Sequence, residues 1–267
     1  MKKNRNLLLI PHFNNPMGLS KSIMSIGKDE YLDILIVDDG SSKLKIDTNL
    51  IDSSKKFNGT IFYLFCKQNR GIEFVLNDGI DYALKNNYEF ISRLDCGDLC
   101  DKNRFSIQEK FLDKNKNIAL VGSYVKVVDE EDNFLFNIKL SCDPQEIKKR
   151  MKYKCMFIHP SIMFRSNIVN FIGNYPTKYK SAEDFAFFTK ILSKFNGANI
   201  DQFLVTIEMN KSGISLTNRK IQSRSRVNIL LDNFTFSFYS LYGLLKSYML
   251  LYTPNKIVIK IKKIFFK

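Results

Sequence analysis

Three short clusters hold the side chains from which a reaction centre could be assembled: Val37-Asp38-Asp39-Gly40-Ser41-Ser42, Arg93-Leu94-Asp95-Cys96-Gly97-Asp98 and Ser181-Ala182-Glu183-Asp184. Neighbouring carboxylates repel one another and repel phosphate, so they cannot cradle an anion themselves. They suit other work: accepting hydrogen bonds from a base or ribose, holding a divalent cation, or taking up a proton. Each cluster also has an ordinary structural use. Asp-Gly-Ser is turn and capping chemistry, Asp98 can cap a following helix, and Glu183 and Asp184 at a helix start oppose its dipole. Their combination is more telling than any one of them. A carboxylate-held cation with a separate carboxylate base is the minimum equipment for displacing a nucleoside diphosphate.

The elements that must position these clusters alternate along the first hundred residues. Short apolar or β-prone runs occur at Leu7–Ile10, Ile34–Val37, Thr60–Phe65 and Phe90–Leu94. Helices are predicted near 17–26, 44–56 and 71–86, the last with Ile72, Val75, Leu76, Ile80, Ala83 and Leu84 on one face. Repeated βαβ units predict an α/β fold with a mostly parallel central sheet flanked by helices on both sides. Ligands in such sheets bind outside the carboxyl ends of the strands, where the first two acidic clusters fall. Ile118–Val128 and Phe134–Leu140 read as strands joined by an acidic turn, followed by a helix over 143–152, a strand over Phe157–Phe164 and a helix over 182–195. Residues 220–252 read as one long helical segment, and no domain boundary is expected before about 215.

Composition narrows the class. A chain of 267 residues with 45% hydrophobic and 25% charged residues is a globular protein with ample core. Five cysteines without a Cys-x-x-Cys pair, and two histidines, read as reduced thiols in a cytosolic protein with no structural zinc site. The basic, apolar N-terminus has only four apolar residues before Pro11, too few for a signal peptide. No stretch of eighteen apolar residues occurs, so no transmembrane helix is expected.

The net charge of +14 is uneven. Residues 211–267 carry eleven Lys or Arg and one acid, whereas 1–210 carry thirty basic and twenty-six acidic residues. In the terminal segment Lys256, Lys260, Lys263 and Lys267 share one helical face, with Ile257, Ile261, Ile264 and Phe265 on or near the other. Residues 229–252 upstream are strongly apolar. The pattern predicts an anchor lying on the anionic, cytoplasmic face of the cell membrane; a helix packed on the body with a solvated basic face is the alternative. Nucleic acid is not expected as a partner, because no reader motif occurs and the charge clusters with apolar residues.

Taken in order, Ile10-Pro11, Val37-Asp38-Asp39-Gly40-Ser41-Ser42, Asn69-Arg70-Gly71 with Asn77-Asp78-Gly79, Arg93-Leu94-Asp95-Cys96-Gly97-Asp98, His159-Pro160-Ser161 and Glu183-Asp184 resemble family 2 glycosyltransferases. The resemblance covers roughly residues 5–218 and implies an inverting enzyme of the GT-A fold. It implies a GT-A domain over 1–218 and a basic, helical extension over 219–267. Pro11, His12 and Phe13 would line the nucleobase pocket, Asp39 would accept from the base, and Asp38 would support the turn or the ribose side. Asn69, Arg70 and Gly71 would shape the nucleotide rim, with Arg93 and Asp95 also on the donor side. Asp95 and Asp98 would represent the acidic motif that binds Mg²⁺ or Mn²⁺ and the diphosphate. Asp184 would be the general base, Glu183 its neighbour, and His159 would stand near the acceptor or diphosphate.

One departure matters. Where many members place a further aspartate, the usual metal ligand, this chain has Gly97, which leaves open whether Asp95 or Asp98 binds metal directly. The implied reaction moves a hexose or deoxyhexose from a UDP- or dTDP-linked donor to a hydroxyl of a glycan or lipid-linked acceptor. Two other classes stay in view. A nucleotidyltransferase shares the α/β fold and carboxylate–metal chemistry, although Pro11–Ser20 lacks its glycine- and lysine-rich phosphate loop. A catalytically silent module that binds nucleic acid or membrane is the other.

Overall fold

The computed structural model describes residues 4–209 and 218–253. Its first half is built as the alternating pattern requires. Strands β1 (Asn6–His12), β2 (Asp33–Asp38), β3 (Ile61–Phe65) and β4 (Phe90–Arg93) are separated by helices α1 (Pro16–Met24), α2 (Thr48–Ser53) and α3 (Ile72–Lys85). The strands pair in parallel in the order β3-β2-β1-β4, with Leu8 opposite Ile34 on one side and Ser92 on the other. Their near-continuous apolar character follows from burial on both faces. Leu7 and Leu9 of β1 enter one core with α3, while Leu8 and Ile10 enter the other with α1.

Beyond β4 the sheet becomes mixed. Elements β5 (Leu99–Cys100), α4 (Arg104–Lys114), β6 (Ile118–Val128), β7 (Phe134–Ile138), α5 (Pro144–Arg150), β8 (Met163–Arg165), α6 (Val169–Ile172), α7 (Glu183–Lys194) and β9 (Asn196–Glu208) follow in chain order. Strand β8 runs antiparallel between β4 and β6, β9 lies parallel to β6, and β5 pairs antiparallel with β9. Helices α8 (Arg219–Asp232) and α9 (Phe238–Tyr252) close the described chain.

Several elements differ from the sequence expectation, each for a local reason. Only Met163–Arg165 of the 157–164 run is strand, because His159–Ser161 form a 3₁₀ turn. Pro160 there has no N–H to give a ladder, and the Ser161 N–H and hydroxyl both donate to the Ile158 carbonyl. The 220–252 segment is two helices, not one. Asn233 folds its side-chain amide back onto the Ile229 carbonyl, and the Ser237 hydroxyl accepts the Ser240 N–H to start α9. The second helix shrinks to Thr48–Ser53 because Asp47 caps it. The basic segment 255–267, the 210–217 link and the expected domain boundary near 218 fall at or outside the edges of the described residues.

Candidate functional site

Strand order reverses between β1 and β4, and at such a switch point the loops leaving the two strands part to form a crevice. Pro11 and His12 end β1, Asp38 ends β2, and Asp95 follows β4, so all three loops open at the same edge of the sheet. Glu183 and Asp184 begin α7.

The β2 loop is an interlocked turn. His12 Nε2 accepts the Asn15 N–H at 3.1 Å, so the ring proton lies on Nδ1 and is donated to Asp38 Oδ1 at 2.8 Å. The Ser41 hydroxyl also donates to Asp38 Oδ1, at 2.5 Å, and the Ser41 N–H reaches Oδ2 at 3.2 Å. His12 and Asp38 are both buried. Asp38 thus supports the turn, and His12 faces inward with both nitrogens in use, unlike the half-exposed Phe13 beside it. Asp39 accepts the Arg70 N–H at 2.8 Å on one oxygen and the Gly71 N–H at 3.0 Å on the other. That carboxylate ties the β2 loop to the start of α3, and a base N–H would share an oxygen already in use. Asn69 is exposed beside it, and the Arg70 guanidinium turns away to Asp78 and to Cys66.

The second acidic cluster divides in two. Arg93 is fully buried, with Nη1 donating to the Leu9 carbonyl at 3.2 Å and Nη2 to Asp95 Oδ1 at 2.5 Å. It leaves the Asp95 side chain 40% exposed at the crevice. Asp98 points inward, and its Oδ1 accepts the Glu208 N–H at 3.0 Å. Burial, reinforced by the charge of Asp95, pushes its carboxyl well above the usual range. Gly97 has φ of +103°, a conformation in which an aspartate would be strained although the space is open. A Cβ there would meet only Glu208 Oε1, at 3.9 Å. No group of three or more His, Cys, Asp or Glu placed to hold a metal occurs among the described residues. A single outward carboxylate nevertheless fits a hard cation that keeps waters and shares substrate phosphate oxygens. Asp95 has that character; Asp98 does not.

The third cluster opens α7 within reach of the charge of Asp95. Asp184 is half-buried and accepts the Phe185 N–H at 2.6 Å. Its carboxyl is raised by burial and by the charge of Asp95. Glu183 is buried, its Oε2 has no hydrogen-bond partner among the described residues, and burial with the charge of Asp184 pushes it to about 7. His159 sits among aromatic rings. Its Nε2 meets the Tyr175 hydroxyl at 2.9 Å, its ring packs on Phe188, and burial followed by the charge of Arg93 holds it well below the usual imidazole range. His159 is therefore a neutral, packed ring at neutral pH.

The sequence reading missed two neighbours. Tyr175, which stacks on Phe187 and holds His159, carries no sequence signal. Arg226 of α8 lies over the Phe185 ring at 4.9 Å, donates to the Tyr153 carbonyl at 2.7 Å and opposes the upward shift of Asp184. Its only hint is a basic run, Arg219 to Arg226, in a helix otherwise read for its apolar residues.

Residues 8–171 match the family described as glycosyl transferase family 2. Over 202 residues the chain is 28% identical to a UDP-Gal:alpha-D-GlcNAc-diphosphoundecaprenol beta-1,3-galactosyltransferase of Escherichia coli, covering 74% of this chain and 71% of that one. Among solved structures it is similar to S. aureus TarS 1-349 in complex with UDP-GlcNAc, with a TM-score of 0.64 at 15% identity over 92% of this chain and 70% of the other. A mannosyltransferase from Pyrobaculum calidifontis in complex with GDP-Man and Mn²⁺ gives a TM-score of 0.61 at 13% identity, over 94% and 70%. At those identities the two structures speak for the fold alone.

Proposed function

Because the chain belongs to glycosyl transferase family 2, we propose that it transfers a hexose or deoxyhexose from a UDP- or dTDP-linked donor to a hydroxyl of a glycan or lipid-linked acceptor, with inversion. The observation that carries this reading is the placement of Asp95: it follows β4 at the switch point of the sheet, is held by the buried Arg93, and stays 40% exposed. Asp184, 89 residues further along the chain, is near enough for the charge of Asp95 to help raise its carboxyl. The name of the Escherichia coli relative favours a UDP-hexose donor through its UDP-Gal, and a lipid-linked acceptor through its diphosphoundecaprenol.

In this mechanism the acceptor oxygen attacks the anomeric carbon while its proton passes to Asp184. The bond from that carbon to the diphosphate oxygen breaks with its electron pair leaving on the diphosphate. A single displacement inverts the configuration. A base raised toward the working pH is better matched to this task than an ordinary aspartate, and such bases contribute about 10²–10⁴-fold. Glu183, protonated through part of the neutral range, limits the charge crowded beside Asp184. Asp95 would hold a Mg²⁺ or Mn²⁺ ion, which when bound neutralises charge developing on the leaving diphosphate. Arg93 fixes the rotamer of Asp95 from below. Pro11, Phe13, Asp39, Asn69 and Gly71 would form the nucleotide side; His12 and Asp38 would act on it only through the turn they brace. His159 would support the floor of the crevice.

The experiment is incubation with nucleotide sugars and a lipid-linked acceptor, reading nucleoside diphosphate release and the anomeric configuration of the product. Equimolar diphosphate and inverted glycoside are expected. Retained configuration, or pyrophosphate released from a nucleoside triphosphate instead, would refute the proposal. Peripheral attachment to the cytoplasmic membrane face through the basic segment 255–267 belongs to the same proposal, resting on sequence pattern alone.

A further inference from the structure

Helix α9 is inside out. Ser240, Gly243 and Ser247 face the protein and are buried, whereas Phe238, Leu241, Tyr242, Leu245, Tyr248, Met249 and Tyr252 are exposed, Phe238 and Tyr252 by 77% and 79%. At about 100° per residue these seven large side chains occupy an arc of roughly 120°. Phe236, fully exposed in the turn before the helix, adds to the same apolar region. Gly243 explains the inward face, since a Cβ there would run into the Lys152 carbonyl and the Tyr153 backbone. Small residues thus seat the helix close on the 152–153 loop and turn its bulk outward. Water alone does not favour so large an apolar stripe on a monomer, so its presence marks a contact surface.

Charge identifies the occupant. The loop beneath α9 continues the run Lys148-Lys149-Arg150-Met151-Lys152-Tyr153-Lys154, five cations in seven residues. Lys148, Lys149, Arg150 and Lys154 are exposed, with Glu146 the acid paired to Lys149 and Arg150. Tyr153 stacks on Tyr239 and meets Tyr242 edge-on, while Lys149 and Lys246 lie over the rings of Tyr239 and Tyr242. The basic run and the aromatic stripe are therefore one surface. Apolar and aromatic residues bordered by cations are what an anionic lipid–water interface takes up. Among the described residues no helix is long and apolar enough to cross a membrane, so contact with a bilayer here would be along its surface.

We propose that the exposed face of α9 and the basic run 148–154 form a docking surface for an anionic lipid bilayer. The surface lies in the folded body and is distinct from the basic terminal segment. It deepens the reading of a lipid-linked acceptor and rests on it for its purpose: Arg226 joins Tyr153, under α9, to the neighbourhood of Asp184. A bilayer seated on α9 would present lipid-borne hydroxyls on the side where the base stands.

The test is sedimentation of the full chain with vesicles of phosphatidylcholine, alone or mixed with phosphatidylglycerol. Leu241→Glu/Leu245→Glu/Met249→Glu and Lys148→Gln/Lys149→Gln/Lys154→Gln are compared with the parent, their folding checked by thermal melting. Binding is expected on the anionic vesicles only, lost in the first variant and weakened about fivefold per cation removed in the second. No vesicle binding by the parent, equal binding to both compositions, or variants that bind like the parent would each overturn the proposal. So would a dimer, seen by light scattering and broken by the glutamates, in a chain that ignores vesicles. Sugar transfer to a water-soluble acceptor is read separately. Its absence in the parent would count against the glycosyltransferase mechanism and leave the vesicle result to decide the docking surface.

Discussion

Replacing Arg93 tests the internal wiring of the crevice. Its guanidinium is fully buried and makes a charge-assisted bond of 2.5 Å to Asp95 and a bond of 3.2 Å to the Leu9 carbonyl, while Nε has no hydrogen-bond partner among the described residues. Charge-assisted bonds contribute about 1.5–3 kcal/mol each and neutral ones about 1. Breaking a fully buried pair costs about 3–5 kcal/mol, but Asp95 is 40% exposed and water can solvate it once Arg93 is gone. Arg93→Met also removes a desolvated cation. The net loss of stability is therefore expected at about 1–3 kcal/mol. The larger effect should be on function, since a reacting group misplaced by about 1 Å loses roughly 10²-fold. Urea unfolding and steady-state diphosphate release at saturating Mn²⁺ measure the two effects. Arg93→Lys should recover part of the stability and little of the activity, because an ammonium cannot hold Asp95 and the Leu9 carbonyl in one planar fork. An Arg93→Met enzyme with parental kcat/KM would refute the role given to this side chain.

Three other outcomes follow from the same geometry. Asp95→Asn should weaken Mn²⁺ activation at least tenfold, while Asp98→Asn, whose amide oxygen can still accept the Glu208 N–H, should leave it within about threefold; titration of chelated enzyme with Mn²⁺ distinguishes them, and equal effects would return Asp98 to the metal. Burial pushes Glu109 up to about 7 from an ordinary unfolded value, so folding stability falls as pH rises between about 4.5 and 7. Glu109→Gln should flatten that slope and raise stability at pH 8 by about 1–3 kcal/mol relative to the parent, read by thermal melts across pH. Asp184 must be ionised to act, so the acid limb of kcat/KM should lie above the ordinary aspartate range, and a limb below pH 4 would contradict its raised carboxyl.

Much of the parallel half was legible because its strands are buried on both faces and end in turn residues, as Ile34–Val37 before Asp38-Asp39-Gly40 illustrates. Helix α3 was legible from its single apolar face. Helix α4 escaped because its buried side includes Arg104 and Gln108, polar side chains paired with each other and with backbone carbonyls, which erase the apolar period. Strand β9 escaped because Asn199, Asp201 and Gln202 interrupt its pattern where its pairing with β6 shifts register. Within the site, the order of acids along the chain marked Asp95 and Asp184, but spacing says nothing of which way a carboxylate points. Asp98 and His12 turn inward because backbone amides claim them, Glu208 for the first and Asn15 for the second. The apolar residues of α9 were legible as part of a membrane anchor, but not which of them face outward. Only the seat of Gly243 on residues 152–153 fixes which side is wet.

The most direct test of the central claim is single-turnover transfer by Asp184→Asn, with donor binding and melting temperature measured on the same preparation. Donor affinity and stability should stay close to the parent, and the rate of diphosphate release should fall about 10²–10⁴-fold. Release at the parental rate, with inverted product, would place the base elsewhere and contradict the assignment of Asp184.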